Sequence, residues 1–358
     1  METLEMIDCN FWLGKKVFLT GHTGFKGSWA SIWLHSMGAN VRGYSLPPTT
    51  HPNLYEIAKI ESLADTQLAD IRHRDVLINS VQEFQPDVVL HMAAQPLVRY
   101  SYKEPIETFE TNAIGTMNML EAIRSCPSVT AALMVTTDKC YDNKEWFWGY
   151  RETEAMGGKD PYSASKACAE LIVNAYRSSY FDSSSSSSIA TARAGNVIGG
   201  GDWSDDRLIP DILKAIETNE SVLIRNPESI RPWQHVIEPV AGYLTLLENL
   251  SSHGNEFEGA WNFGPADTNA KSVRWIVEAM INLWESQSSW NISEGDHPHE
   301  AHFLKLDSSK AGALLNWKGK WDLHRSLKAT IDWQKNWLDG NDAGEFCLQQ
   351  IEDYLSTE

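Results

Sequence analysis

The 358 residues predict an α/β protein: a doubly wound parallel sheet with a smaller C-terminal α/β region that binds a substrate. Three observations carry this. From Lys16 onward, short apolar runs alternate with turns and amphipathic helical stretches. A glycine-spaced loop, Gly21-His-Thr-Gly24-Phe-Lys-Gly27, follows the first of these runs and opens a helix. After about Gly199 the texture changes to short elements broken by Gly, Pro and Asp, as in Gly199-Gly-Gly-Asp-Trp203 and Asn226-Pro-Glu.

Taken in order, the apolar runs predict strands at Val17–Thr20, Asn40–Tyr44, Gln67–Ala69, Val88–Met92, Ala132–Thr136 and Ile189–Ala194, with helices such as Arg74–Phe84 and Asn112–Arg124 between them. A later helix is expected over Glu238–Leu250, because Val240, Tyr243, Leu244, Leu247 and Leu250 fall on one face. That apolar face suits packing back on the first sheet. Residues 1–198 are therefore expected to form a dinucleotide domain joined by 232–250, and 199–358 mainly a substrate region. The serine run Ser183–Ser188 reads as a surface loop.

Composition narrows the function. Hydrophobic residues at 42% and charged residues at 22% are those of an ordinary folded protein. A formal charge of −18 opposes nucleic acid and anionic membranes, so any anionic ligand needs local cations. The five cysteines, Cys9, Cys126, Cys140, Cys168 and Cys347, have no paired spacing, which predicts reduced thiols, no disulfide framework and no metal site. Glu2, Glu5 and Asp8 do not make the basic start of a targeting segment, and no apolar run reaches the ~20 residues that span a bilayer, so a cytoplasmic protein is expected.

The glycine loop has a physical reading. Gly21 permits the turn after the strand, Gly24 lets backbone amides approach a pyrophosphate, and Gly27 lets the helix sit close to the strand. The helix start then offers unpaired N–H groups to phosphate. Leu68-Ala-Asp70-Ile71 and Met92-Ala-Ala-Gln95 end the third and fourth strands, where a cofactor would lie. The second strand ends in Ser45, where an NAD site usually carries Asp or Glu; Ser45 can still hydrogen-bond a ribose, and Arg42 leaves a 2′-phosphate partner open.

Tyr162-Ser-Ala-Ser-Lys166 places a phenol and an ammonium one helical turn apart, after a helix entry at Asp160-Pro161. In an arbitrary sequence this is a surface pair. Here it follows both the glycine loop and the strand that runs into Val135-Thr-Thr-Asp-Lys-Cys-Tyr141.

Together, the GxxGxxG spacing, the YxxxK motif and Thr137-Asp138-Lys139 followed by an aromatic stretch and Gly157-Gly158 resemble the extended short-chain dehydrogenase/reductase family of Rossmann fold. Within it they resemble the CDP-glucose 4,6-dehydratases, over nearly the whole chain from Gly21 to Lys310. The resemblance implies NAD as cofactor, CDP-D-glucose as substrate, a homodimer, and a place in deoxysugar or O-antigen-type nucleotide-sugar synthesis. It implies a cofactor wall of Gly21, Thr23, Gly24, Phe25, Lys26, Gly27, Ser45, Asp70, Ile71, Ala93, Ala94, Gln95, Asn112 and Thr136 together with Tyr162 and Lys166. It implies a substrate set of Gln95, Asn196, Arg207, Leu208, Arg231 and Trp233.

By the same resemblance Tyr162 is the base at the C4 hydroxyl, with Lys166 lowering its pKa, and Thr136 or Thr137 supplies the orienting hydroxyl. Asp138 is the acid for the 6-hydroxyl, and Lys139 the base at C5 where relatives carry Glu. An ordinary lysine titrates near ~10.4, so that role needs burial or nearby positive charge, while an ionised Asp138 opposes it. A dehydratase for another nucleotide sugar, an epimerase or a decarboxylase are the enzyme alternatives; Asp138-Lys139 argues for dehydration. A cofactor-sensing regulator of the same fold is the non-enzymatic one, against which Tyr162 and Lys166 stand.

Overall fold

The computed structural model describes residues 7–181, 186–293 and 303–357. The strands are β1 (Lys16–Thr20), β2 (Asn40–Ser45), β3 (Asp65–Leu68), β4 (Val88–His91), β5 (Ala131–Val135), β6 (Ser188–Ala194), β7 (Asn196–Ile198), β8 (Val222–Ile224), β9 (Ile230–His235), β10 (Gly259–Phe263), β11 (Ala270–Ser272) and β12 (Trp290–Ile292). Seven form one parallel sheet in the order β10-β6-β5-β4-β1-β2-β3.

Burial on both faces explains why these strands read as continuous apolar runs. Alternation sends Val17, Leu19, Val88, Leu90, Leu133 and Val135 to one layer, and Phe18, Val89, Ala132 and Met134 to the other. The first layer is closed by the helices Phe25–Ser36, Ile237–His253 and Ala343–Ser356. The second is closed by Arg74–Phe84, Gly115–Arg124 and Pro161–Tyr180.

Three expectations change. The boundary at residue 198 leaves out two contributors to the sheet layers: β10 lengthens the sheet beside β6, and the Ala343–Ser356 helix packs on the Phe25–Ser36 helix, with Tyr354 edge-on to Trp33. The reason lies in Trp261 and Phe263, which are fully buried but sit in a run too short to distinguish from a loop. The helix expected over Asn112–Arg124 is interrupted: Glu110–Ile114 is a π turn, with α-helix from Gly115 onward. The third strand begins two residues early, at Asp65.

The remaining strands make a three-stranded sheet, β11-β9-β7, and the pair β12-β8. They share a second core with the helices Leu208–Glu217, Val273–Trp284 and Leu323–Leu338. Residues 183–185 of the serine run lie outside the described residues, as do residues 294–302 before Lys310.

Candidate active site at the sheet switch

After β1 the chain winds outward to β2 and β3, then returns to β4 on the other side of β1. Loops leaving β1 and β4 therefore diverge, and the crevice between them is where open α/β sheets bind ligands. A cavity of about 660 Å³ lies there, lined from both regions of the chain.

Its floor is the glycine loop. Gly21 has φ +78°, and a Cβ on it would meet the Ala93 nitrogen at 2.8 Å. A Cβ on Gly27 would meet the Gly21 carbonyl oxygen at 2.0 Å, so the helix seats only with glycine there. Gly24 caps that helix with extended backbone and no side chain, which leaves the leading amides open toward the cavity, as an anionic dinucleotide requires.

Thr23, Phe25, Lys26, Ser45, Asp70, Ile71, Ala93 and Ala94 also line the cavity. The Thr23 hydroxyl lies 2.8 Å from that of Ser45 and donates to the Leu46 carbonyl. Asp70 is gripped by Arg72, at 2.6 Å and 2.8 Å. Arg42 is not on the wall; its guanidinium pairs with Asp65 at 2.6 Å. These residues fit a dinucleotide.

Gln95 and Asn112 stand behind the wall. Asn112 accepts from the Gln95 amide at 2.8 Å and donates to its carbonyl at 3.0 Å and to Ser165 at 2.9 Å. The Gln95 side chain donates to Thr108 and accepts from the Leu97 amide. Both are spent bracing the loop after β4, and the π turn is what aims Asn112 at that loop.

The catalytic side is set by the Pro161–Tyr180 helix. Asp160 caps it, accepting from the Ser163 amide at 2.9 Å, and Pro161 occupies its first turn. Tyr162 and Lys166 then face the cavity from one buried stripe. Burial pushes the Tyr162 phenol up to about 12, while its hydrogen bond with Thr137 and the charge of Arg207 pull the other way. The Lys166 ammonium donates to the Val135 carbonyl at 3.2 Å, and burial lowers it to about 8 against Glu170.

Of the two threonines, Thr137 is the one on the reacting side. Its hydroxyl donates to Asp138 at 3.0 Å and caps the short turn Asp138–Cys140. Thr136 lines the cavity but gives its hydroxyl to Glu170. Asp138 is buried, with room made by Gly195, where a Cβ would approach the Asp138 carboxylate to 3.0 Å. The Lys139 ammonium lies 3.9 Å from Asp138 and is one-third exposed. Lys26 reaches the same place: burial, then Arg207, Lys166 and Lys139, push its ammonium down to about 7, against the pull of Asp138. Lys26, Lys139, Lys166 and Arg207 thus line one cavity with Asp138, the local basic groups that a chain of −18 needs to hold anions.

Beneath this layer lies a network that the sequence reading did not single out. Glu170 pairs with Arg193 at 2.7 Å, both almost fully buried, and accepts from Thr191 at 2.8 Å as well as from Thr136. Arg193 also donates to the Tyr141 hydroxyl at 2.7 Å. Glu170 lies one turn beyond Lys166 on the same buried stripe, which was the available signal.

Asn196, Arg207, Leu208, Arg231 and Trp233 all line the cavity, and Arg99 and Arg225, not singled out before, join them. Arg207 is held by Asp202 at 3.0 Å, and Arg99 by Asp206 at 3.0 Å. Among the described residues there is no cluster suited to a metal ion and no helix long and apolar enough to cross a membrane.

The family model described as GDP-mannose 4,6 dehydratase matches residues 18–330. CDP-glucose 4,6-dehydratase of Salmonella typhimurium is 52% identical over 355 residues, covering 98% of this chain and 99% of that protein. A dTDP-glucose 4,6-dehydratase of Xanthomonas campestris is 26% identical over 93% of this chain and 97% of its own. Among solved structures, a dTDP-glucose 4,6-dehydratase from Streptomyces venezuelae with NAD and TYD bound superposes with a TM-score of 0.79 at 20% identity, over 92% of this chain and 99% of that one. UDP-glucose 4-epimerase from Thermotoga maritima, with UDP-glucose, also gives 0.79 at 20% identity, over 90% and 99%. At such identity these two structures establish the fold alone.

Proposed function

The chain belongs to the GDP-mannose 4,6 dehydratase family, and from that premise we propose that it is an NAD-dependent enzyme converting CDP-D-glucose to CDP-4-dehydro-6-deoxy-D-glucose and water. The observation that carries the reading is the convergence of Thr137, Asp138, Lys139 and Tyr162 on one cavity whose floor is a phosphate-binding glycine loop. Held by the Gly21–Gly27 loop, Ser45 and Asp70, NAD would supply positive charge and a store for the hydride removed from C4 and returned to C6.

The side chains divide the remaining work. Thr137 positions the C4 oxygen and Tyr162 takes its proton as the alcohol becomes a ketone. A phenol held near 12 is protonated at neutral pH, so it acts as a base only once positive charge enters beside it. The C4 ketone acidifies the proton at C5. Lys139 removes that proton while Asp138 protonates the departing C6 hydroxyl, so the C6–O bond breaks and water leaves. Reprotonation at C5 completes a sequence that consumes no external reductant.

Arg207, Arg231 and Asn196 hold the diphosphate, with Leu208 and Trp233 at the nucleotide end. The place of Arg42 outside the cavity wall supports NAD over its phosphorylated form. A homodimer is supported by Ile106, Leu171 and Tyr180, which are 74%, 57% and 53% exposed on helices that pack together. Cytoplasmic residence and a role in deoxysugar or O-antigen-type synthesis complete the proposal. Incubation with CDP-, dTDP-, GDP- and UDP-glucose tests it: a 4-keto-6-deoxy product is expected, best with the cytidine sugar. An epimer, or no product from any of the four, contradicts it.

A further inference from the structure

We propose that Arg99 and Asp206 form a latch across the mouth of the cavity, which an incoming nucleoside diphosphate opens by drawing Arg99 away from Asp206. The inference rests on the nucleotide-sugar reading above for the diphosphate. Arg99 stands in the Val98–Lys103 helix that follows β4, and Asp206 in the loop that leads into Leu208–Glu217; 107 positions separate them, and both line the cavity. The pair therefore ties the dinucleotide side of the crevice to its nucleotide-sugar side.

Three features make it an exchangeable tie and not a brace. The side chains are 34% and 43% exposed, so water screens the attraction; the Arg193–Glu170 pair beneath, at 4% and 5%, has no such competitor. Asp206 has φ +59°, a left-handed backbone that projects its carboxylate toward Arg99 from a conformation few side chains adopt. Its neighbour Asp202, nearly buried, holds Arg207 and the Ser204 amide, so the loop has a fixed end and a releasable end. A diphosphate offers a guanidinium more charge and more acceptor oxygens than one carboxylate does, and its own charge repels Asp206 once Arg99 has moved.

Titration of CDP into the dinucleotide-loaded full chain by calorimetry tests the latch without turnover. Asp206→Asn keeps a residue that tolerates left-handed backbone while removing the competing charge, so CDP should bind about threefold more tightly. Arg99→Gln should bind CDP about tenfold more weakly. In the double variant the gain from Asp206→Asn should vanish, because no Arg99 remains to be released. If both single variants weaken binding, or if Asp206→Asn keeps its gain without Arg99, the pair is a structural brace and the latch is wrong. Failure of the unaltered protein to bind any nucleoside diphosphate would remove the nucleotide-sugar reading, and the latch with it.

Discussion

Thr136 and Thr137 are adjacent in sequence and opposite in consequence. Thr137 donates to Asp138 and lowers the Tyr162 phenol, whereas Thr136 satisfies the buried carboxylate of Glu170. Thr137→Val should lower kcat by ~10²-fold or more with little change in melting temperature. Thr136→Val should do the reverse, because it leaves a buried acceptor short of a donor at a cost of ~1–3 kcal/mol. Equal effects of the two on kcat would refute the division. For Lys139, the alanine variant should lose exchange of the C5 proton with solvent and the glutamate variant should retain dehydration; unchanged exchange in the alanine variant would remove Lys139 from the role of base. At this scale the sequence was informative wherever residue type alone limits the chemistry, as at Tyr162, Asp138 and the loop glycines. It was silent on Arg99 and Glu170, whose partners lie 107 and 23 positions away and are chosen by the fold.

Elements differ in how openly they are written. The parallel strands were legible because burial on both faces makes each a plain apolar run. β10 was not, since its two buried aromatics occur within five residues. The π turn at Glu110–Ile114 had no signature at all, being a local insertion tolerated because Asn112 ties it to the loop after β4. The Ile237–His253 helix was expected from its apolar face, but not its deepest polar contact. Glu238, almost wholly buried, accepts from the Lys320 and Trp321 amides and from the Tyr354 hydroxyl, binding the C-terminal helix to the sheet layer. Burial pushes this carboxyl from 4.5 up to about 7, opposed by those hydrogen bonds. Between these values the folded chain keeps a proton that the unfolded chain has released. The stability so gained is full below about pH 4.5 and is lost as pH rises through about 7. Glu238→Gln should flatten the fall in melting temperature between pH 5 and 7; an unaltered slope would place the proton elsewhere.

For the whole molecule, the balance lies between a strongly negative surface and a positive interior site. The charge of −18 was read from composition, but the gathering of Lys26, Lys139, Lys166 and Arg207 with Asp138 in one cavity requires segments from four parts of the chain to meet. If Ile106 and Leu171 form the proposed homodimer contact, Leu171→Glu should turn a dimer into a monomer in sedimentation; a monomeric unaltered protein, or an undissociated variant, would contradict that assembly. The most direct measurement follows a label through the reaction. CDP-glucose deuterated at C4, turned over in ordinary water, should give a 4-keto-6-deoxy product carrying that deuterium at C6, as NMR of the product would show. Deuterium found in solvent, or retained at C4 of an epimer, would contradict an internal transfer of hydride.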